Sequence, residues 1–390
     1  MSLRSLTKLS GFSPNLRLVH PRTLRLLPRQ TCYSTRTPPP RSIRIPPLPI
    51  ALISAGFICL GIGLYDHLTS DIQSFPSDVR QSLRKALYYQ QTKDLRLSLK
   101  YFQEALALAL DSPDLDRHGA PLTGIMIQMG ALQETMDQLP EARQTLILAL
   151  RHLLHLSEDD DITATQVSDT YRPLEQKKMM GIAQKLGDVA VRMHRYEEAE
   201  KWYVWSVEHL LQWSSRPVSD YGDSTEVLFD AEHMPDWLTK TEIGAALEAL
   251  GGLYATQHKP GLAIQLYLKA LTLTGMVSCQ ASVLMNNLAE AYAGLGQLEE
   301  AKMWGQKGLD LARNPNTSKV NQDGALCDET CGVLLFNMGM LFEQTNDKSK
   351  AEQFYQSAKL HGREFKQPDC VQQADRALRR LTFEKTRDGL

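Results

Sequence analysis

Catalysis or metal binding needs a few titratable or nucleophilic side chains at one place, so the histidines, cysteines and paired carboxylates are weighed first. The 390 residues include ten histidines and six cysteines. His152 and His155 stand three apart on an apolar segment and His118 lies in a connection. Zinc would need further ligands beside them, and none follows at ligand spacing. The cysteines are Cys32, Cys59, Cys279, Cys327, Cys331 and Cys370. Cys327 and Cys331, four residues apart, fall on one helix face. No CxxC pair accompanies them, so they read as small buried apolar groups. A disulfide between these two is the alternative in an oxidising compartment. The carboxylate pairs Glu197–Glu198 and Glu299–Glu300 occupy equivalent turn positions, where solvation explains them. No nucleophile elbow, P-loop, dinucleotide fingerprint or HExxH pattern occurs. Trp202, Trp205, Trp213, Trp237 and Trp304 read as packing groups and not as a stacking platform for bases. The residues therefore predict a binding protein and not an enzyme, with no cofactor, metal or small-molecule substrate.

The formal net charge of −2 hides an asymmetry. Residues 1–65 hold nine Lys or Arg and no acid, which leaves 34 basic against 45 acidic groups in the remainder. The acidic body has no electrostatic reason to bind nucleic acid, and its surface favours basic partners.

The basic leader reads as an address followed by an anchor. Residues 1–35 are rich in Arg, Ser and Leu and lack acids, the composition of a mitochondrial transit peptide. Residues 36–47 form a Pro- and Arg-rich linker in which the prolines exclude a regular helix. Residues 48–65, LPIALISAGFICLGIGLY, are uncharged. At 1.5 Å per residue they reach about 27 Å, near the thickness of a bilayer core. The sequence thus predicts one transmembrane helix. Arg36, Arg41 and Arg44 precede it, whereas Asp66, Asp71 and Asp78 follow. The positive-inside rule then leaves the basic flank in the matrix and the acidic body in the intermembrane space.

From residue 79 to 390 the apolar periodicity is helical, and it recurs. In LEALGGLYATQHKPGLAIQLYLKA, residues 247–270, Leu247, Leu250, Gly251 and Tyr254 precede Ala263, Tyr267 and Ala270. Ala183, Leu186 and Gly187 precede Ala199, Tyr203 and Ser206 in the same way. So do Met285, Leu288, Ala289 and Tyr292 before Ala301. Leu335, Met338, Gly339 and Phe342 stand before Ala351, Tyr355 and Ala358, and Met126, Met129 and Gly130 before Ala142, Leu146 and Ala149. Ala86 and Tyr89, then Ser98, Phe102 and Ala105, make a weaker first copy. These offsets resemble the tetratricopeptide repeat, in which small residues sit where two antiparallel helices approach and large ones fill the space between hairpins. The fold class expected is all-α: a solenoid of about six helical hairpins plus a capping helix, preceded by the transmembrane helix. The anchors Ser98, Ala142, Ala199, Ala263, Ala301 and Ala351 are unevenly spaced against an ideal period of about 34. Insertions are therefore expected at 157–169, 216–237 and from Asn314 to Gly324. The first of these reads as a solvated acidic loop. Val371, Ala374, Leu378 and Leu381 share one face of the closing segment, as a cap requires.

In such an array the binding groove is lined by the first helix of each hairpin. Counting from the anchors places Gln128, Gln184, Asp188, Arg192, Asn286, Glu290, Asn337 and Met340 inward, a mixed polar surface suited to protein segments. Asn287 and Asn337 match one position used by carboxylate-clamp members, but the companion lysines are missing.

The segment SDIQSFPSDVRQSLRKALYYQQTKDLRLSLKYFQEAL and the repeat LEALGGLYATQHK resemble a fungal mitochondrial inner-membrane family, the tetratricopeptide adaptor subunits of the i-AAA protease complex. The resemblance runs from about Leu48 onward. It implies recruitment of unfolded or misassembled inner-membrane proteins to a partner that holds the ATPase and metalloprotease. A respiratory-chain or translocase assembly factor or scaffold is the alternative with the same architecture and address.

Overall fold

In the computed structural model the chain divides into two compact units, 1–67 and 68–390. The structure describes residues 74–116, 119–157, 159–167, 171–214, 234–314 and 325–388. The transit peptide, the linker and the transmembrane helix expected at 1–35, 36–47 and 48–65 lie outside them, as do most of the segments 216–237 and 314–324. Among the described residues no helix is long and apolar enough to cross a membrane.

The described residues form thirteen α-helices and one short 3-10 turn, with no β-strand. Twelve helices pair into six hairpins: α1 (Ser77–Gln91) with α2 (Leu95–Asp111), α3 (Ala120–Thr135) with α4 (Leu139–Leu154), and α5 (Pro173–Arg192) with α6 (Tyr196–Ser214). The array continues with α7 (Lys240–Thr256) and α8 (Pro260–Thr274), α9 (Cys279–Gly294) and α10 (Leu298–Arg313), and α11 (Ala325–Gln344) and α12 (Lys348–Glu364). The closing helix, α13 (Pro368–Asp388), packs on α12 and α11.

The helix starts follow local chemistry. Asp94, Ser278 and Asp347 cap α2, α9 and α12 by accepting from the N–H groups of Leu97, Ala281 and Lys350. Each cap satisfies a donor that the helix itself leaves unpaired. Thr239 and Glu242 form a reciprocal capping box on α7. Pro140 and Pro260 stand in the first turns of α4 and α8, where a missing N–H costs nothing.

Within each hairpin the register is constant even though the hairpins are unevenly spaced. All six anchors, Ser98, Ala142, Ala199, Ala263, Ala301 and Ala351, are fully buried at 0% exposure. Twelve residues before each lies a small residue of the first helix: Ala86, Gly130, Gly187, Gly251, Ala289 and Gly339. Four residues after five of the anchors lies a large buried side chain, Phe102, Leu146, Tyr203, Tyr267 or Tyr355, and the last four fill the space over the glycine of their own hairpin. A Cβ on Gly251 would stand 2.6 Å from the Tyr267 ring and one on Gly130 would stand 2.9 Å from Leu146. The fifth hairpin departs from this. Gly305 stands where the ring should be, and Met338 of α11 fills the gap, its sulfur 2.6 Å from where a Gly305 Cβ would be.

The uneven spacing comes from the connections between hairpins. In the connection after α4 the acidic residues 159–161 are exposed, in line with the solvated loop expected there, while two apolar residues further on are buried. Ile162 and Val167 are 4% and 2% exposed. Buried His209 of α6 is held between the Val167 N–H, 3.0 Å from its Nε2, and the Trp205 carbonyl, 2.7 Å from its Nδ1. The Trp205 indole donates to the Thr165 carbonyl at 3.1 Å. The acidic residues Asp160 and Asp161 turn the loop by accepting from Ser157 and Thr163.

One core of apolar side chains runs from Phe75 to Ala291, and smaller groups continue it through α10 to α13. Ala374, Ala377 and Leu381 bury the cap face of α13, with Leu378 partly buried beside them.

Candidate functional site

The first helices α3, α5, α7, α9 and α11 are joined in sequence by polar side chains. Glu134 of α3 receives Lys185 of α5 at 2.8 Å and Arg192 of α5 at 3.1 Å. Lys177 of α5 meets Glu242 of α7 at 2.9 Å. Glu248 of α7 accepts from Gln280 and from Asn287 of α9, the latter at 3.1 Å. Asn337 of α11 donates from one amide nitrogen to Asn286 Oδ1 at 2.9 Å and to Glu290 Oε1 at 2.8 Å, both on α9. Asn286 in turn donates to the same Glu290 oxygen at 2.9 Å.

These contacts sort the eight residues expected to face a groove. Asn286 and Asn337 are buried and, with exposed Glu290, form a bonded trio between two first helices. Arg192 is exposed but engaged by Glu134 and by Asp137 at 2.7 Å. Asp188 is half-buried and accepts from the Tyr203 hydroxyl at 2.7 Å. Gln184 is half-buried with its amide 3.4 Å from Ser206. Gln128 and Met340 are exposed. The structure therefore brings Asn286, Glu290 and Asn337 together, holds Arg192 and Asp188 in pairs, and leaves Gln128 and Met340 open. Asn287, matched to the clamp position by sequence, is occupied by Glu248.

Sequence counting did not single out Glu248 or Glu134, which join successive hairpins. Both are first-helix carboxylates, and only the relative rotation of adjacent hairpins shows which acid faces which donor. Burial pushes the Glu248 carboxyl above its usual range, partly offset by the amide donors of Gln280 and Asn287. Asp188 is raised for the same reason, with the Tyr203 hydroxyl and Lys185 opposing. The Tyr254 phenol of α7, which donates to Glu200 of α6 at 2.8 Å, is pushed up to about 12 by burial and by that carboxylate. The raised phenol keeps its proton and donates, whereas at Glu248 and Asp188 burial opposes the ionised form and the donors to the carboxylate favour it.

One covalent link was not read from the sequence. Cys279, at the start of α9, forms a disulfide with Cys327 of α11, their Cα atoms 5.0 Å apart. The reading of Cys327 as a small buried apolar group is thereby corrected, and its alternative pairing with Cys331 is excluded. Cys331 is a buried free thiol and Cys370 a half-buried one. Two neighbouring hairpins place Cys279 and Cys327 side by side although they are 48 residues apart. Sequence spacing holds no signal for such a contact. Among the described residues no group of three His, Cys, Asp or Glu side chains could hold a metal.

The sequence profile of the tetratricopeptide repeat matches residues 283–314, which span α9 and α10. No curated protein matches the chain. Among solved structures, BtubC (BKLC) from P. vanneervenii is similar over 76% of this chain and 93% of its own, at 13% identity and a TM-score of 0.46. The apo form of RapI aligns over 79% of this chain and 97% of its own, with 12% identity and a TM-score of 0.47. YrrB, described as a TPR protein with an unusual peptide-binding site, covers 71% of this chain and 96% of its own at 15% identity and a TM-score of 0.37. The architecture rests on the packing above and not on these likenesses. Residues 283–314 carry a tetratricopeptide repeat, and the described chain is an all-helical tetratricopeptide-like solenoid.

Proposed function

We propose that this chain is a membrane-anchored protein-binding adaptor of the mitochondrial inner membrane. Its repeat array faces the intermembrane space and recruits unfolded or misassembled inner-membrane proteins to the i-AAA protease. The observation that carries the binding role is the first-helix face. Five first helices are held in sequence by side-chain bonds at four successive junctions, with Gln128 near one end and Met340 near the other. A surface assembled from several hairpins suits an extended segment better than a small molecule. The localisation draws support from the basic, acid-free leader and the apolar run at 48–65. It also draws support from the disulfide, which fits an oxidising compartment better than a reduced matrix. The link to the protease rests on the sequence resemblance alone.

Anchoring would raise the local concentration of this face around membrane-embedded clients. Deletion is expected to lengthen the half-lives of misassembled inner-membrane proteins while leaving protease activity on short peptides intact. Unchanged half-lives contradict the adaptor role. Co-purification in mild detergent of respiratory-chain or translocase subunits without the protease would point to the assembly-factor reading.

A further inference from the structure

The last hairpin and its cap differ in charge from the rest of the body. Residues 359–388 hold eight Lys or Arg against five Asp or Glu, whereas residues 66–358 hold 26 against 40. The basic groups gather around a cleft of about 630 Å³ between the end of α12 and the first turns of α13. Arg363 and Lys366 stand on one wall, and Arg376 and Arg379 on the other, with Val371 between them. All four cations are exposed, and among the described residues none of them forms an ion pair. Asp375, the acidic residue of the lining, is engaged by Lys359 at 2.5 Å. Arg380, the neighbour of Arg379, is engaged by Glu343 at 2.7 Å and takes no part in the cleft.

The backbone makes the cleft. Lys366 adopts the left-handed conformation, φ 55°, and turns the chain sharply between α12 and α13. Gly362 lets α13 come close, since a Cβ there would lie 2.9 Å from the Val371 side chain and 3.2 Å from the Gln367 carbonyl.

We propose that this cleft binds an acidic peptide segment of a partner protein, at a site separate from the first-helix face. Arginine forks on both walls suit bidentate capture of carboxylates. Val371 and the aliphatic stems of the arginines offer an apolar floor for one hydrophobic side chain. Phe383, 71% exposed, flanks the cations on the adjoining surface with Leu378 and Arg379. A concave site between two elements fits a chain segment, whereas a bilayer would meet a flat face. The negative body repels an acidic segment elsewhere, so the charge pattern also selects this end of the array.

The test is fluorescence anisotropy on the full chain held in nanodiscs of neutral lipid. The probe is a labelled glutamate-rich peptide carrying one leucine, beside its glutamine counterpart and vesicles containing phosphatidylserine. The glutamate peptide should bind and the glutamine peptide should not. Arg376→Glu with Arg379→Glu, and separately Arg363→Glu, should each weaken binding about tenfold or more, as should raised salt. The melting temperature should stay unchanged, because all three side chains are exposed. Equal binding of the glutamine peptide, indifference to charge reversal on both walls, or absence of peptide binding would overturn the proposal. Capture of the vesicles without the peptide would assign the cleft to lipid instead.

Discussion

The ring of Tyr355 lies over Gly339 so closely that a Cβ on the glycine would stand 2.6 Å from Cε1. The same contact joins Gly251 to Tyr267, which makes it the packing rule of the array and not a local accident. Gly339→Ala should therefore destabilise by about 1–3 kcal/mol through overpacking against a buried ring. Gly181→Ala is the control. It sits in α5 with nothing within 4 Å of its virtual Cβ, so alanine should stabilise by about 0.5–1 kcal/mol through helix propensity. Thermal melts of the two variants give opposite signs if the packing is as described.

The disulfide between Cys279 and Cys327, 48 residues apart in sequence, closes a loop that contains the whole fifth hairpin. Reduction, or Cys279→Ala with Cys327→Ala, should cost about 2–4 kcal/mol. Cys331→Ala should leave the sensitivity to reductant untouched, since Cys331 carries a free thiol. Melting with and without reductant, together with mass analysis of alkylated cysteines, checks both statements.

Asn337 satisfies two acceptors on α9 at once. Asn337→Ala would strand part of this trio and should cost about 1–3 kcal/mol. If the trio acts as a unit, adding Glu290→Gln should cost less than the sum of the two single changes. A double-mutant cycle in denaturant measures the coupling. Strict additivity would mean that α9 and α11 do not communicate through these groups.

Glu343 carries a pH signature. Burial raises its carboxyl, but the donors from Arg380 and the Tyr355 hydroxyl, at 2.7 Å each, outweigh it and leave the folded value lowered. A lowered folded value means the unfolded chain binds the proton more readily. The contribution to stability is thus present above the unfolded value, about 4.3, and is lost as the pH falls through the folded one. Glu343→Gln should be less stable at neutral pH, and the gap to the parent should close on acidification. Stability curves of the two proteins between neutral and acid pH test the sign.

The recurrence of small and large side chains was legible because hairpin packing is local: anchor, small partner and large side chain lie within sixteen residues of one another in five of the six copies. The turns were less legible. Each first-to-second helix turn holds one residue at positive φ, namely Lys93, Asp137, His194, His258, Gly296 and Asn346, and only one of them is a glycine. The sequence thus lacks the usual glycine marker at five of these sites. Contacts between hairpins were not legible at all. Glu248 with Asn287, Cys279 with Cys327, and His209 with Val167 depend on how one hairpin rotates on the next, and connections of unequal length hide that rotation from any periodicity. The groove expectation suffered from the same blindness. It named Asn286 and Asn337 as open, whereas they bond across the junction.

The first-helix face as a protein-binding surface is the claim on which the account turns. Photo-crosslinking residues placed at Gln128 and Met340 of the full chain in mitochondria test it most directly, with Leu262, 46% exposed on α8, as the control position. The account predicts adducts with misassembled inner-membrane proteins from Gln128 and Met340 and few from Leu262. Adducts confined to Leu262, or none that depend on misassembled clients, would contradict it.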